Sequence, residues 1–347
     1  MNITRSTPNM DFLKQIIKDS KNEYATVASD GIAAGDVESF VDTGSHIFNA
    51  LVSGSILGGI PSNKITALAG ETGTGKTFFC LSIAKNFLET NPDAGVLYFE
   101  TESAISKEMV ESRGIDSKRL VIFPINTIEE FRTQAVRVLD KYLEQPKDER
   151  KPLMFVLDSL GMLATNKEVE DASNEKNVRD MTKAQLVKSC FRILTLKLGK
   201  ANIPMLVTNH TYDVIGSYVP AKEMGGGSGL KYSASTIVYL SKKKEKEGTD
   251  LVGNIIKCEA KKSRLTREGS KIETRLFFDS RGLDRYYGLL ELGEMGGLWK
   301  NVAGRYEIGG KKIYAKQILS DPDTYFTPDV IQALEETANK VFHYGEG

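Results

Sequence analysis

The chain has few of the residues that build disulfide frameworks or metal clusters, and it has no excess of one charge. Its 347 residues include only three cysteines and three histidines. The cysteines are far apart and odd in number, which predicts reduced thiols rather than disulfides or a zinc site. Lys and Arg (46) balance Asp and Glu (46), so a uniformly basic protein is excluded, although a local basic patch is not.

Long apolar runs are also absent. No uninterrupted stretch reaches the roughly 18 residues that a membrane-spanning helix needs, and the first residues (MNITRSTPNMDFLKQIIKDS) contain no apolar signal core. We therefore expect no membrane partner and a cytoplasmic location. Hydrophobic residues still make up 40% of the chain, which is enough for a large core and argues against a mainly disordered protein.

The middle of the chain alternates apolar strands with amphipathic helices. Strands are predicted at residues 64–69, 96–99, 153–157, 204–208 and 236–240, and helices at 77–88, 128–143 and 178–198, the last closed by Gly199. Such alternation predicts an α/β fold with a mainly parallel sheet flanked by helices.

The two ends of the chain differ from this middle part. Residues 11–19 predict a short amphipathic helix, followed by an arm rich in Gly, Ala and Asp. From about residue 286 the chain is rich in Gly and aromatics and contains its only tryptophan, Trp299. We predict an N-terminal helix and arm (1–45), a core (46–285) and a small C-terminal domain (286–347).

One segment carries a strong chemical signal: residues 70–77 (GETGTGKT) fit the pattern G-x-x-x-x-G-K-S/T. The glycines let backbone N–H groups close around a phosphate chain, Lys76 places its charge on the β and γ phosphates, and Thr77 puts a hydroxyl on Mg²⁺. The segment follows a predicted strand and opens a predicted helix, as this chemistry requires; the alternative is an ordinary glycine-rich turn. The predicted ligands of ATP are Gly70, Glu71, Thr72, Gly73, Thr74, Gly75, Lys76 and Thr77.

Polar side chains also follow three other predicted strands. Asp158 is placed to be the second magnesium partner; the alternative is a helix N-cap. Glu100 and Glu102 alternate, so only one can face the γ-phosphate and activate the attacking water. Glu102 is the favoured candidate, and solvated loop charge is the alternative for both. His210 could sense the γ-phosphate and pass the signal into the next loop, unless it is purely structural.

Three further segments suggest contacts with nucleic acid or with another subunit. Residues 166–177 and 211–229 look like long loops, which are usually functional or disordered. The second carries side chains suited to stacking on or inserting between nucleobases, namely Tyr212, Ile215, Tyr218 and Val219. Residues 257–267 (KCEAKKSRLTR) are basic and could contact DNA phosphates, reach a nucleotide across a subunit boundary, or simply form a solvated strand face. The mixed-charge run 242–247 (KKKEKE) predicts a turn.

Taken in order, these motifs resemble those of the RecA/RadA recombinases over about residues 40–342. The run GGIPSNKITALAGETGTGKT resembles the family's approach to its phosphate-binding loop. In YFETE the final acid, Glu102, falls on the family's catalytic glutamate, and LDS around Asp158 resembles the second Walker motif. His210 stands at the switch position, where bacterial RecA has Gln and the phage branch has His, so the likeness points to the T-even-type phage branch.

The resemblance also implies roles for residues outside the ATP motifs. Gly226 and Gly227 match the end of the second DNA-binding loop, and Arg179 and Lys183 would contact DNA phosphates at the start of the helix after the first loop.

Two matches concern the nucleotide itself. Lys262 and Arg264 resemble the pair of lysines that reaches the neighbouring subunit's ATP, with Arg replacing one Lys. Met109 falls near the family's adenine-stacking Tyr, so aromatic stacking is not expected there.

The resemblance implies a RecA-like P-loop core with an N-terminal oligomerisation arm and a small C-terminal α+β domain. It implies a DNA-dependent ATPase that uses ATP and Mg²⁺, forms helical filaments on single-stranded DNA and exchanges strands with double-stranded DNA in recombination, repair and replication. Single-strand-binding and mediator proteins are expected partners, and a phage-encoded protein would act in the host cytoplasm. A hexameric ring helicase on the same fold, and a mediator that binds nucleotide without hydrolysing it, remain as alternatives.

Overall fold

The computed structural model describes residues 10–32, 34–174, 182–213, 222–247 and 250–345. The strands are β1 (Phe40–Val41), β2 (Ile60–Pro61), β3 (Ile65–Gly70), β4 (Gly95–Glu100), β5 (Leu120–Pro124), β6 (Leu153–Asp158), β7 (Met205–Asp213), β8 (Lys222–Met224), β9 (Thr236–Glu247), β10 (Asp250–Ser263), β11 (Lys271–Phe277), β12 (Lys300–Val302), β13 (Arg305–Ile308) and β14 (Lys311–Tyr314). The helices are α1 (Met10–Ser20), α2 (His46–Ser53), α3 (Lys76–Thr90), α4 (Lys107–Ser112), α5 (Ile128–Leu143), α6 (Asn166–Ser173), α7 (Lys183–Ala201), α8 (Ser228–Ser233), α9 (Leu289–Met295), α10 (Ala315–Ser320), α11 (Pro322–Tyr325) and α12 (Pro328–Phe342).

A large central sheet has the strand order β11-β10-β9-β3-β7-β6-β4-β5, with β8 paired to β7. The pairs among β9, β3, β7, β6, β4 and β5 are parallel, and β10, β11 and β8 join in antiparallel pairs. This arrangement confirms the predicted fold class. Because the parallel strands share one direction, the carboxyl ends of β3, β4, β6 and β7 meet at one edge of the sheet.

The core fills both faces of this sheet. One apolar cluster, including Phe48, Phe79 and Leu334, lies between the sheet and α2, α3 and the C-terminal helices. The other, including Phe131 and Phe191, lies under α5 and α7. Burial on both faces explains why β6 reads as a continuous apolar run rather than an alternating one.

The C-terminal residues form a three-stranded antiparallel sheet, β12-β13-β14, with helices that return to the core. The indole of Trp299 donates to the Leu290 carbonyl at 2.6 Å, and the Glu335 carboxylate on α12 accepts a hydrogen bond from the Ile56 amide at 2.8 Å. At the other end, the apolar side chains of Phe12, Leu13 and Ile16 on α1 are exposed. No helix in the described ranges is both long and apolar enough to cross a membrane.

Several sequence predictions are wrong in detail. The segment 166–177 does not begin as a loop, because Thr165 and Glu168 form a capping box that starts α6. The run 242–247 is not a turn but the end of β9. The long helix does not close at Gly199: α7 continues to Ala201 and ends at Asn202, whose φ is 53°.

The predicted loop 211–229 is also partly regular structure. β7 continues through His210 to Asp213, β8 returns beside it, and α8 begins at Ser228. His210 therefore lies within a strand rather than after one.

Candidate nucleotide-binding site

The glycine-rich segment forms a tight turn between β3 and the first residue of α3. Gly73 and Gly75 adopt left-handed backbone conformations, with φ of 71° and 101°, which suit glycine because it has no Cβ. The ammonium of Lys76 is buried under the loop and donates to the carbonyls of Gly70 and Glu71, both at 3.0 Å. Burial lowers the pKa of Lys76 from its ordinary value. The loop thus holds a desolvated cation and backbone N–H groups of a helix start together, as an anion site requires.

Asp158 ends β6 beside this loop, and its carboxylate collects hydroxyl groups from three elements. Thr77 on α3 and Tyr98 on β4 both donate to Oδ2 at 2.7 Å, and Thr208 on β7 donates to Oδ1. The carboxylate is buried, so these donors replace the water that it gives up on folding.

The structure separates the two glutamates after β4. The carboxylate of Glu100 is buried and accepts hydrogen bonds from the amides of residues 102, 103 and 104 at 2.8–3.0 Å. Glu100 therefore shapes the turn that follows β4, and its carboxylate is engaged by backbone amides. The Glu102 side chain is partly exposed and accepts a hydrogen bond from the Ser159 hydroxyl at 2.9 Å.

His210 stands on β7 at the same edge of the sheet. Its Nε2 lies 3.4 Å from Oε1 of Glu102, so the candidate base and the candidate sensor are in contact. The structure brings together five residues that were predicted from four separate stretches of sequence: Lys76, Thr77, Glu102, Asp158 and His210.

The oxygen donors at this edge fit magnesium. Mg²⁺ is held in proteins by one or two carboxylates and keeps phosphate and water ligands, and Asp158 with Thr77 supplies that kind of set. Within the described ranges, no group of three or more His, Cys, Asp or Glu could hold a metal ion. The residues therefore suit a metal that arrives with phosphates better than a metal fixed by protein alone.

Comparison with known proteins identifies the family. A model of the RecA N-terminal domain matches residues 12–284. The chain belongs to the RecA family. The "Recombination and repair protein" of Enterobacteria phage T4 is 37% identical over 267 residues, covering 77% of this chain and 66% of that protein. Protein RecA of Streptomyces rimosus is 24% identical over 288 residues, covering 81% of this chain and 72% of that protein. The predicted likeness to a T-even phage recombinase is confirmed, although this chain spans just under two thirds of the T4 protein.

In this RecA-family chain, the segment predicted as the second DNA loop is hydrogen-bonded to the switch position. The amide of Gly225 donates to the His210 carbonyl at 3.0 Å, and the side-chain amide of Asn209 donates to the Gly225 carbonyl at 2.8 Å. Gly226 and Gly227 follow with φ of 80° and 76° and lead into α8.

The predicted neighbour-contacting pair lies far from the chain's own phosphate-binding loop. Lys262 pairs with Ile237 at the start of β9, beside the amino end of β3, whereas the loop begins at its carboxyl end. At about 3.3 Å per residue, the intervening part of β3 spans on the order of 10–15 Å. Lys262 donates to carbonyls of residues 231, 232 and 234, and Arg264 donates to that of Tyr232. The structure does not bring either residue to its own chain's site.

The other predicted DNA contacts are only partly described. Lys183 opens α7 and lies 3.9 Å from Glu168, and Tyr212 is 61% exposed on β7. Arg179, Ile215, Tyr218 and Val219 lie outside the described residues.

Sequence reasoning missed four side chains of the site. Tyr98, Thr208 and Ser159 bind the two acids, and Lys222 on β8 forms an ion pair with Glu71 of the loop. Thr208 and Ser159 could have been found, since they end or follow predicted strands of the same sheet. Tyr98 and Lys222 gave no such signal, because one reads as a core residue and the other as loop charge.

Proposed function

We propose that this RecA-family recombinase hydrolyses ATP when bound to DNA, forms helical filaments on single-stranded DNA, and exchanges strands with homologous double-stranded DNA. The observation that carries the proposal is the contact between Glu102 and His210 at the phosphate-binding loop, with the second DNA loop hydrogen-bonded directly to His210. One strand, β7, would thus connect the site of hydrolysis to the site of DNA binding.

The chemistry follows from the side chains at this edge. Lys76 would exchange its two carbonyl acceptors for oxygens of the β and γ phosphates. Thr77 and Asp158 would hold Mg²⁺, which neutralises the charge of the phosphates when bound. Glu102 would orient the attacking water and accept its proton. The hydrogen bond from the Ser159 hydroxyl would hold the Glu102 carboxylate in that orientation.

His210 would act as the switch. A γ-phosphate beside the Glu102–His210 contact would compete for the imidazole, and a shift of His210 would move Gly225 through the hydrogen bond between their backbones. ATP would in this way favour one arrangement of the second DNA loop, and hydrolysis would release it.

Filament formation is proposed from the position of the basic pair and of α1. Lys262 and Arg264 cannot serve the ATP of their own chain, so a head-to-tail neighbour would supply the phosphates that they contact. The exposed apolar side chains on α1 suit docking onto the next subunit. Single-strand-binding and mediator proteins are proposed as further partners.

The test is ATP hydrolysis with and without single-stranded DNA, at low and high salt, beside a Lys76→Ala control. We expect DNA to stimulate turnover, the stimulation to weaken with salt because phosphate contacts are screened, and activity to vanish in the control. Turnover that ignores DNA would contradict the proposal. Electron microscopy on DNA separates filaments from the closed rings of a helicase, and unmeasurable turnover would favour a non-hydrolysing mediator.

A further inference from the structure

Tyr98 places a hydroxyl group inside the buried core of the protein. Its side chain is 0% exposed on β4, among neighbours of the same cluster such as Phe79, Val156 and Leu206. A buried hydroxyl costs free energy unless it is hydrogen-bonded, and a phenylalanine would fill the same space without that cost. The Tyr98 hydroxyl donates at 2.7 Å to Oδ2 of Asp158.

The register of the sheet explains why the hydroxyl reaches this carboxylate. Tyr98 pairs with Val156 and Glu100 pairs with Asp158 across β4 and β6. Tyr98 thus lies two residues before the end of its strand, on the same face as Asp158, and its long side chain spans the remaining distance. Thr77 approaches the same oxygen from α3, and Thr208 approaches the other oxygen from β7.

These three donors are not equivalent. Thr77 is itself a proposed metal ligand, so its oxygen would be shared with Mg²⁺. Tyr98 and Thr208 stand behind the carboxylate on neighbouring strands and would hold it whether or not a metal is present. Outer partners of this kind orient ligands and tune metal affinity.

We propose that Tyr98 is a positioning residue that fixes the Asp158 carboxylate through its hydrogen bond to Oδ2 and thereby strengthens the binding of Mg²⁺ with nucleotide. The inference rests on the proposed function, since it assigns magnesium to Asp158.

The experiment compares the wild-type protein with Tyr98→Phe, which removes one oxygen atom. A fluorescent ADP analogue is titrated in EDTA, and then Mg²⁺ is titrated into the complex. We expect metal-free affinity to stay within about twofold and the half-saturating Mg²⁺ concentration to rise about tenfold, the lower end for an outer-partner mutation. In an Asp158→Asn background, Tyr98→Phe should cause no further change, because it acts through that carboxylate.

The matched control is Tyr306→Phe, which removes the hydroxyl of a buried tyrosine that is hydrogen-bonded to Asn301 in the C-terminal sheet and should leave the Mg²⁺ titration unchanged. If Tyr98→Phe has the same half-saturating Mg²⁺ concentration as the wild type, or loses nucleotide affinity equally with and without the metal, the role of Tyr98 is overturned. The proposed function would stand in either case. A wild-type protein whose nucleotide binding ignores Mg²⁺ would overturn the proposed function as well.

A second measurement tests the proposal even if Tyr98→Phe fails to fold. Fluorotyrosine at position 98 keeps the hydroxyl, and its fluorine NMR resonance is expected to shift when Mg²⁺ joins the ADP complex. An unmoved resonance would overturn the proposal.

Discussion

At the scale of single residues, Glu100 and Glu102 show how two identical side chains take different tasks. Glu102→Gln should lower kcat by about a hundredfold or more, because the amide cannot accept a proton, while nucleotide affinity stays near wild type. Glu100→Gln should lower the free energy of unfolding by about 2 kcal/mol, since its charged oxygens bind three amides. Steady-state kinetics and chemical denaturation measure the two effects; the reverse pattern would exchange their roles.

His46 gives the protein a pH dependence of stability. Its ring is buried, which lowers its pKa, and Nδ1 lies 2.8 Å from the Ile56 carbonyl. The unfolded chain protonates this histidine near pH 6.5, whereas the folded chain does so only at lower pH. Stability should therefore fall as the pH drops below about 6.5. Melting temperatures at pH 7.5 and 5.5 should differ by a few degrees less in His46→Gln than in the wild type; equal differences would assign the dependence to other groups.

At the scale of elements, the contact between α7 and α8 depends on a glycine. A Cβ on Gly229 would lie 2.7 Å from the Lys188 amide nitrogen and 2.8 Å from its Cα, atoms that cannot move without shifting α7. Gly229→Ala should cost about 1–3 kcal/mol of stability through this overpacking, measured by denaturant unfolding. Gly95→Ala is the control, because its Cβ would meet a Leu153 methyl at 3.4 Å and the Arg119 carbonyl oxygen at 3.9 Å, which are ordinary contact distances; similar losses in both variants would contradict the packing argument.

The elements that could be predicted are those that local rules decide. A continuous apolar run identified β6, and the glycine pattern identified the turn from β3 into α3. The start of α6 could have been predicted from the capping-box spacing of Thr165 and Glu168, but the polar composition of 166–177 alone favoured a loop. The course of β9 through 242–247 could not be predicted, because antiparallel pairing with β10, itself paired with β11, stabilises this segment, and its own composition does not. Likewise, only the register of β4 on β6 brings Tyr98 to Asp158.

At the scale of the whole molecule, the proposed assembly builds each active site from two chains. A mixture of Glu102→Gln and Lys262→Ala subunits should then regain activity that neither has alone. With equal amounts and random assembly, about a quarter of the interfaces would pair an intact Glu102 with an intact Lys262, so DNA-stimulated turnover should approach about a quarter of wild type.

The control for this mixture is Lys261→Ala, which removes the adjacent lysine and its 2.7 Å ion pair with Glu259 but should retain activity. A mixture as inactive as its parts would contradict an active site that is shared between neighbouring chains. The division into parts at residues 45 and 285 stays a prediction, although helices from beyond residue 285 share one core cluster with α2 and α3.

The phosphate-binding loop and Lys262 lie near opposite ends of β3, and this placement has a numerical consequence for filament growth. In the proposed row of n subunits, n − 1 junctions are complete, and one terminal subunit lacks a partner for its nucleotide. A pair of chains would work at half its capacity, and each added copy would bring the average closer to the limit. Turnover per molecule would thus increase with filament length. Dilution should abolish ATP turnover by dissociating the filament, before any chain unfolds.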